Sequence, residues 1–180
     1  MMKQVAVFGN AGGGKSTLSQ KLSQITGLPL HVLDKIKYQA GGAEVPSQDY
    51  KRIHQEILST ERWIIDGFGC METLWSRLEQ ADTLVYVDLP IYVHFWWVTK
   101  RFITGYFHPP QGWPQNSPIL KSSLNSYRAL WLCHRYLTPK YREYIQKAQS
   151  NKNIYHIRSI EEISQFFELI KNKTNSQNCA

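Results

Sequence analysis

The stretch Gly9-Asn10-Ala11-Gly12-Gly13-Gly14-Lys15-Ser16 constrains this chain more than any other. It fits the phosphate-binding loop pattern of a glycine, four free positions, then Gly-Lys-Ser/Thr. Glycines at 9, 12, 13 and 14 let successive backbone N–H groups close around a polyphosphate without Cβ interference. Lys15 is suited to place a point charge between the β- and γ-phosphates, and Ser16 to give its hydroxyl to Mg²⁺. Such a loop must run from a strand into a helix, so that the helix N-terminus faces the anion. Val5, Ala6, Val7 and Phe8 form a short apolar strand run before it, and Leu18, Leu22 and Ile25 follow at helical spacing. The pattern therefore implies binding of a nucleoside triphosphate.

A phosphate loop needs a sheet around it, and 180 residues suffice for one domain with a proper core. Hydrophobic content of 42% and aromatic content of 13% describe a globular chain. Cys70, Cys133 and Cys179 are odd in number, widely spaced and without a zinc pattern, so reduced thiols are expected. The sequence enters a strand within a few residues, so no signal peptide is expected. Its most apolar run, Ile91 to Val98, contains His94 and is too short to span a bilayer. These features together predict a cytoplasmic location.

Strands and helices alternate along the chain. Gly27 is a natural C-cap for the first helix, with Pro29 just beyond. Leu30 to Leu33 reads as a short strand ending in Asp34. Ser47 is a good N-cap for a helix carrying Tyr50, Ile53 and Ile57. Trp63-Ile64-Ile65-Asp66-Gly67 is a third strand with an acid at its end. Met71, Leu74 and Leu78 predict a short helix, Thr83 to Val87 a fourth strand closed by Asp88 and Pro90, and Ile154 to Ile157 a fifth. Ser159 and Glu162 form a capping box for a last helix with Ile160, Ile163, Phe167 and Ile170. One domain is expected over 1–171, with a disordered polar tail over 172–180.

Alternating β and α units with continuous apolar strands predict an α/β fold, a parallel sheet with helices on both faces. Ligands of such sheets bind outside the carboxyl ends of the strands. Gly9, Asp34, Asp66 and Asp88 all fall at or just past those ends. Asp66, closing a hydrophobic strand beside the loop, is where Mg²⁺ would gain an acidic partner; otherwise it caps the turn at Gly67. Asp34 is a candidate to accept a hydrogen bond from the phosphoryl acceptor, to act as its base, or to support Mg²⁺; a simple loop carboxylate is the other reading.

The segments Phe8-Gly9 to Leu18, Leu33-Asp34, Trp63 to Phe68, and Arg77-Leu78 with Ala81-Asp82 resemble the adenylate-kinase-related DNA topology modulation proteins. Asp66-Gly67-Phe68 also resembles an adenylate kinase element. The resemblance covers most of residues 3–102 and the last strand and helix. It implies a three-layer P-loop kinase fold with sheet order 2-3-1-4-5, ATP and Mg²⁺, and phosphate and metal held by Lys15, Ser16 and Thr17. It also implies a lid after the fourth strand, about 102–126, where this chain departs by being aromatic and Pro-rich rather than Arg-rich. Arg101 is similar in position to the lid-entry arginine that stacks on adenine in adenylate kinases.

The lid stretch reads as a functional flap or as a surface loop pinned by its aromatics. The following helix carries Arg128, Arg135 and Arg142 seven apart, with Leu130, Trp131 and Leu137 as its buried side. Those arginines either clamp transferring phosphates or solvate a face; at least one of Arg128 and Arg135 is expected to touch phosphate in the closed state. Charge is uneven: residues 1–90 carry 9 Lys/Arg against 10 Asp/Glu, and residues 91–180 carry 12 against 4. Two functions fit. One is an ATP-dependent phosphotransferase acting on a small molecule or nucleotide. The other is a nucleic-acid-binding ATPase using its basic half. The chain has no Asn-Lys-x-Asp element for guanine, since Ile154 stands where the acid would be, and no helix-turn-helix or RNA-binding signature.

Overall fold

The computed structural model describes residues 2–39, 43–105, 119–148 and 151–178, with the side chains of 105, 119–125, 177 and 178 outside that description. Five strands form its centre: β1 Gln4–Gly9, β2 Leu30–Val32, β3 Trp63–Asp66, β4 Thr83–Val87 and β5 Asn153–Ile157. All pair in parallel in the order β2-β3-β1-β4-β5. Parallel neighbours require crossovers, and the helices supply them. These are α1 Lys15–Thr26, α2 Leu33–Lys37, α3 Ser47–Leu58, α4 Met71–Gln80, α5 Ile91–Gly105, α6 Ile119–Leu132, α7 Thr138–Ala148 and α8 Ile160–Asn178. A π-helical turn, Cys133–Leu137, joins α6 to α7.

The strand period of two divides the core into two layers. Val5, Val7, Ile64, Val85 and Val87 face α1 and α8, where Leu18, Leu22, Phe166, Phe167 and Ile170 cover them. Ala6, Phe8, Ile65, Leu84 and Tyr86 face the other way, under Leu33, Tyr50, Leu74, Leu78 and Tyr141. β1, β3 and β4 are therefore buried on both faces, which is why they read as unbroken apolar runs. This is the three-layer architecture expected from the sequence.

Several local expectations need correction. Leu33 and Asp34 begin α2 rather than end β2. Pro46 holds the cap position of α3, and Ser47 is its first residue without a side-chain cap bond. Trp131, expected on the buried side, is exposed, whereas Leu130 is buried. The polar segment from 172, expected as a disordered tail, continues α8 to Asn178. Helical back-bonding by Thr174 to Ile170 and by Ser176 to Asn172 accompanies it, and Lys173 reaches the Tyr155 hydroxyl. Residues 119–126 of the expected lid are helical, and its stretch 106–118 lies outside the described residues. Among the described residues, no helix is long and apolar enough to cross a membrane.

The capping box at α8 forms with a shift of partner. Ser159 accepts the Glu162 amide at 3.1 Å, while the Glu162 carboxylate accepts the amide of Arg158 at 2.7 Å. Cys70 and Cys133 are free thiols.

Candidate active site

The phosphate loop leaves β1 at Gly9, whose φ of 137° only glycine adopts without strain. A Cβ there would also fall against the Val87 carbonyl, because β4 pairs with β1 to that very residue. The loop then turns through Asn10 to Gly14 into the first turn of α1. Inside it, Asn10 is buried; its side-chain oxygen accepts the Ala11 amide at 2.8 Å and its carbonyl accepts Lys15 Nζ at 2.6 Å. The Lys15 side chain is thus folded back over the loop.

Gly9, Ala11, Gly12, Gly13, Gly14, Lys15, Ser16 and Thr17 line one side of a crevice of about 900 Å³ at the carboxyl ends of the strands. Asp66 lines it from the end of β3, Asp34 from the first turn of α2, and Arg101 from α5. Sheet register explains the meeting: Asp66 pairs with Val7 on one side and Val32 on the other, so β3 ends level with the loop.

Asp66 is almost wholly buried, and its Oδ1 has no hydrogen-bond partner among the described residues. Burial raises its pKa, opposed by the Lys15 charge and a hydrogen bond with Ser16; the Asp34 carboxylate raises it further. A buried carboxylate with one bare oxygen beside a serine hydroxyl and an ammonium is a poor resting arrangement for protein alone. It suits a divalent cation, and the donor set of hydroxyl and carboxylate oxygens suits Mg²⁺. No group of three or more His, Cys, Asp or Glu side chains able to hold a metal occurs among the described residues.

Asp34 lies beside Gly67, where a Cβ would stand 3.6 Å from its Oδ1. Its charge faces Arg101, whose guanidinium pKa is lowered by burial and partly restored by that carboxylate. Arg101 is therefore held within the crevice. Arg128 and Arg135 are not: both are exposed and outside its lining. The face that α6, the π-turn and α7 present instead carries Ala129, Leu132, Cys133, Tyr136, Leu137 and Lys140. Arg128 and Arg135 each precede one of these by a single residue, a rotation of about 100° around a helix. Arg142, the third of the series, binds Asp88.

The site roles of four residues escaped sequence reasoning. Lys140 brings a cation to the crevice where an arginine was expected. Phe68 and Met71, both substantially exposed, give the crevice an apolar wall. Arg77 is fully buried behind that wall and donates from Nη2 to the carbonyls of Gly67 at 3.0 Å and Phe68 at 3.4 Å. It fixes the backbone that follows Asp66. Spacing in α4 could have flagged Arg77 as lying one turn from Thr73 and beside Leu78, on the buried face.

No protein-family model matches the chain. Among curated proteins it is 47% identical over 145 residues to the shikimate kinase of Leptospira borgpetersenii serovar Hardjo-bovis (strain JB197), covering 72% of this chain and 80% of that one. Among solved structures it resembles the shikimate kinase of Acinetobacter baumannii in complex with shikimate, with TM-score 0.57, 15% identity, and 96% and 95% of the two chains covered. The shikimate kinase of Bacteroides thetaiotaomicron gives TM-score 0.55 at 14% identity, over 97% and 99%. At such identities the two structures speak for the fold alone. The Leptospira relative supports a P-loop kinase family, and none of the three is a topology modulation protein of the kind that the sequence resembles. By its identity to the Leptospira protein, the chain belongs to that relative's family, the P-loop kinases that include the shikimate kinases.

Proposed function

We propose that the protein transfers the γ-phosphoryl group of ATP to a hydroxyl of a small acceptor, with a shikimate-like ring acid as the first candidate. The observation that carries this reading is the buried Asp66, with a bare oxygen, set against Ser16 and Lys15 at the mouth of a phosphate loop. The acceptor class rests on the 47% identity to a protein named shikimate kinase.

Each group has a part in phosphoryl transfer, which consists almost entirely of positioning and charge stabilisation. Backbone N–H groups of the loop and Lys15 hold the triphosphate. Ser16 and Asp66 would hold Mg²⁺, which when bound neutralises charge on the phosphate oxygens. Asp34 accepts a hydrogen bond from the acceptor hydroxyl and orients it, with Arg101 balancing its charge from α5. Arg101 also reaches the nucleotide phosphates. Phe68, Met71 and Tyr136 receive the body of the acceptor, with Lys140 available to an acidic group on it.

An ADP-release screen with ATP and Mg²⁺ tests this, across shikimate, other small acids, sugars, nucleosides and nucleotides. Release that rises above the acceptor-free rate with one of these acceptors is the expected result. A rate that none of them changes contradicts the reading.

A further inference from the structure

His94 lies under the phosphate loop, buried in the first turn of α5. Its Nδ1 stands 2.9 Å from the carbonyl oxygen of Ala11 in the loop, and its Nε2 stands 3.1 Å from the carbonyl oxygen of Leu89 at the end of the β4–α5 connection. Both partners are acceptors. A neutral imidazole carries one N–H, so either tautomer turns a lone pair towards one of these oxygens. Only the imidazolium satisfies both.

The loop is built against this ring. A Cβ on Gly13 would stand 2.8 Å from His94 Cε1 and 3.2 Å from its Nδ1, and one on Gly12 would stand 3.0 Å from the His94 carbonyl oxygen. Two loop glycines are thus required by contact with α5, in addition to any need of the phosphate. The ring is therefore a strut between the loop and the sheet.

We propose that His94 is a positioning residue of the phosphate loop, and that binding of a nucleoside triphosphate draws a proton from solvent onto its imidazole. The charged groups that face it are Lys15, which disfavours the imidazolium, and Asp88, which favours it. The N-terminal end of α5 also disfavours a cation. Burial is the largest influence and, with Lys15, holds the pKa below the usual histidine value in the free protein, so the ring is neutral near pH 7. A bound triphosphate places several negative charges on the other side of the loop and cancels the effect of Lys15. The ring then takes its second proton, donates to both Ala11 and Leu89, and stiffens the loop around the phosphates. By linkage, the proton taken up on binding makes affinity rise as pH falls.

This inference rests on the ATP-binding reading above, and one experiment separates the two. ¹⁵N spectra of the histidine side chains are recorded at pH 7 with and without saturating Mg-ATP, with His94 assigned by its absence in His94→Gln. ATP binding is measured by calorimetry on the same samples from pH 6 to 8. The expected result is one protonated ring nitrogen in free protein and two in the complex. The pH dependence of affinity should be steeper in wild type than in His94→Gln, whose affinity falls about tenfold, the scale of one hydrogen bond to a charged group. Binding of ATP with the His94 ring still neutral overturns the inference and leaves the ATP reading intact. Failure to bind ATP at all overturns both. Where His94→Gln does not fold, through-bond correlation from the His94 backbone amide assigns the ring, and the wild-type spectra then decide the matter.

Discussion

Arg142 donates to Asp88 from Nε at 2.8 Å and from Nη2 at 3.1 Å, which ties α7 to the end of β4. His156 Nε2 meets the same carboxylate at 2.9 Å from β5. Asp88 is nearly buried, whereas Arg142 is half exposed. A residue that reads in sequence as a strand terminator thus joins three elements, and it does so one residue past the strand that flanks the loop.

Asp88→Asn should lower stability by about 1–2 kcal/mol, less than a fully buried pair because solvent screens Arg142. Burial alone would raise the Asp88 pKa, but the hydrogen bonds from Arg142 and His156 outweigh it and hold the pKa below its ordinary value. A depressed carboxylate pKa contributes stability above its unfolded value and loses it as pH falls through the folded one. Denaturant titrations from pH 7 down to 3 should show wild type losing stability at the acidic end, with Asp88→Asn losing less there.

His54 is buried, and burial together with the Arg77 charge pushes its pKa from 6.5 down to about 4. The unfolded chain then binds the proton that the folded chain refuses. Stability is full above about pH 6.5 and falls towards pH 4, by up to roughly 3 kcal/mol. Urea unfolding of wild type and His54→Gln at pH 7 and pH 4.5 checks this: the gap in stability between the two pH values should shrink in the variant. An equal gap would mean other groups carry it.

The strands were legible because β1, β3 and β4 are buried on both faces and so carry unbroken apolar runs. Gly9, Asp34 and Asp66 were legible for the same reason, since a parallel sheet delivers its strand ends to one place. Arg77, His94 and Lys140 were not. Their roles depend on which way a helix faces, and that is fixed by packing against residues far along the chain. The arginine series shows the difficulty. Spacing of seven put Arg128, Arg135 and Arg142 near one face, but could not say which face meets the crevice, and the π-turn at Cys133–Leu137 alters the phase between the second and third. The basic second half is in part internally engaged: Arg142 with Asp88, Lys147 with Glu143, and Lys152 with the carbonyls of Glu79 and Ala81.

Alanine variants sort the cations by the face they occupy. Arg101→Ala should lower kcat by about a hundredfold or more if it meets charge in the transferring phosphoryl group. Arg128→Ala and Arg135→Ala should leave kcat within about twofold, as exposed substitutions away from the site do. Lys140→Ala should raise KM for the acceptor more than it lowers kcat. Steady-state kinetics with the acceptor found by the ADP-release screen checks all four, and a large loss in Arg128→Ala or Arg135→Ala would show that the residue meets phosphate in the closed state.

Asp66→Asn keeps the shape and removes the charge. Mg²⁺-dependent turnover should fall by about two orders of magnitude or more, the scale of lost charge stabilisation at a metal. Nucleotide binding in EDTA should be little changed. Equal losses in both measurements would make Asp66 a structural residue.

The central claim is that the loop from Gly9 to Ser16 holds the triphosphate through Lys15, and ATP titration of Lys15→Ala by calorimetry tests it most directly. Lys15 Nζ donates to the Asn10 carbonyl within the loop itself, so its removal should leave the fold intact, with circular dichroism and melting temperature close to wild type. The expected result is a folded variant with no measurable ATP affinity under conditions where wild type binds. A folded Lys15→Ala protein that binds ATP as wild type does would contradict the account.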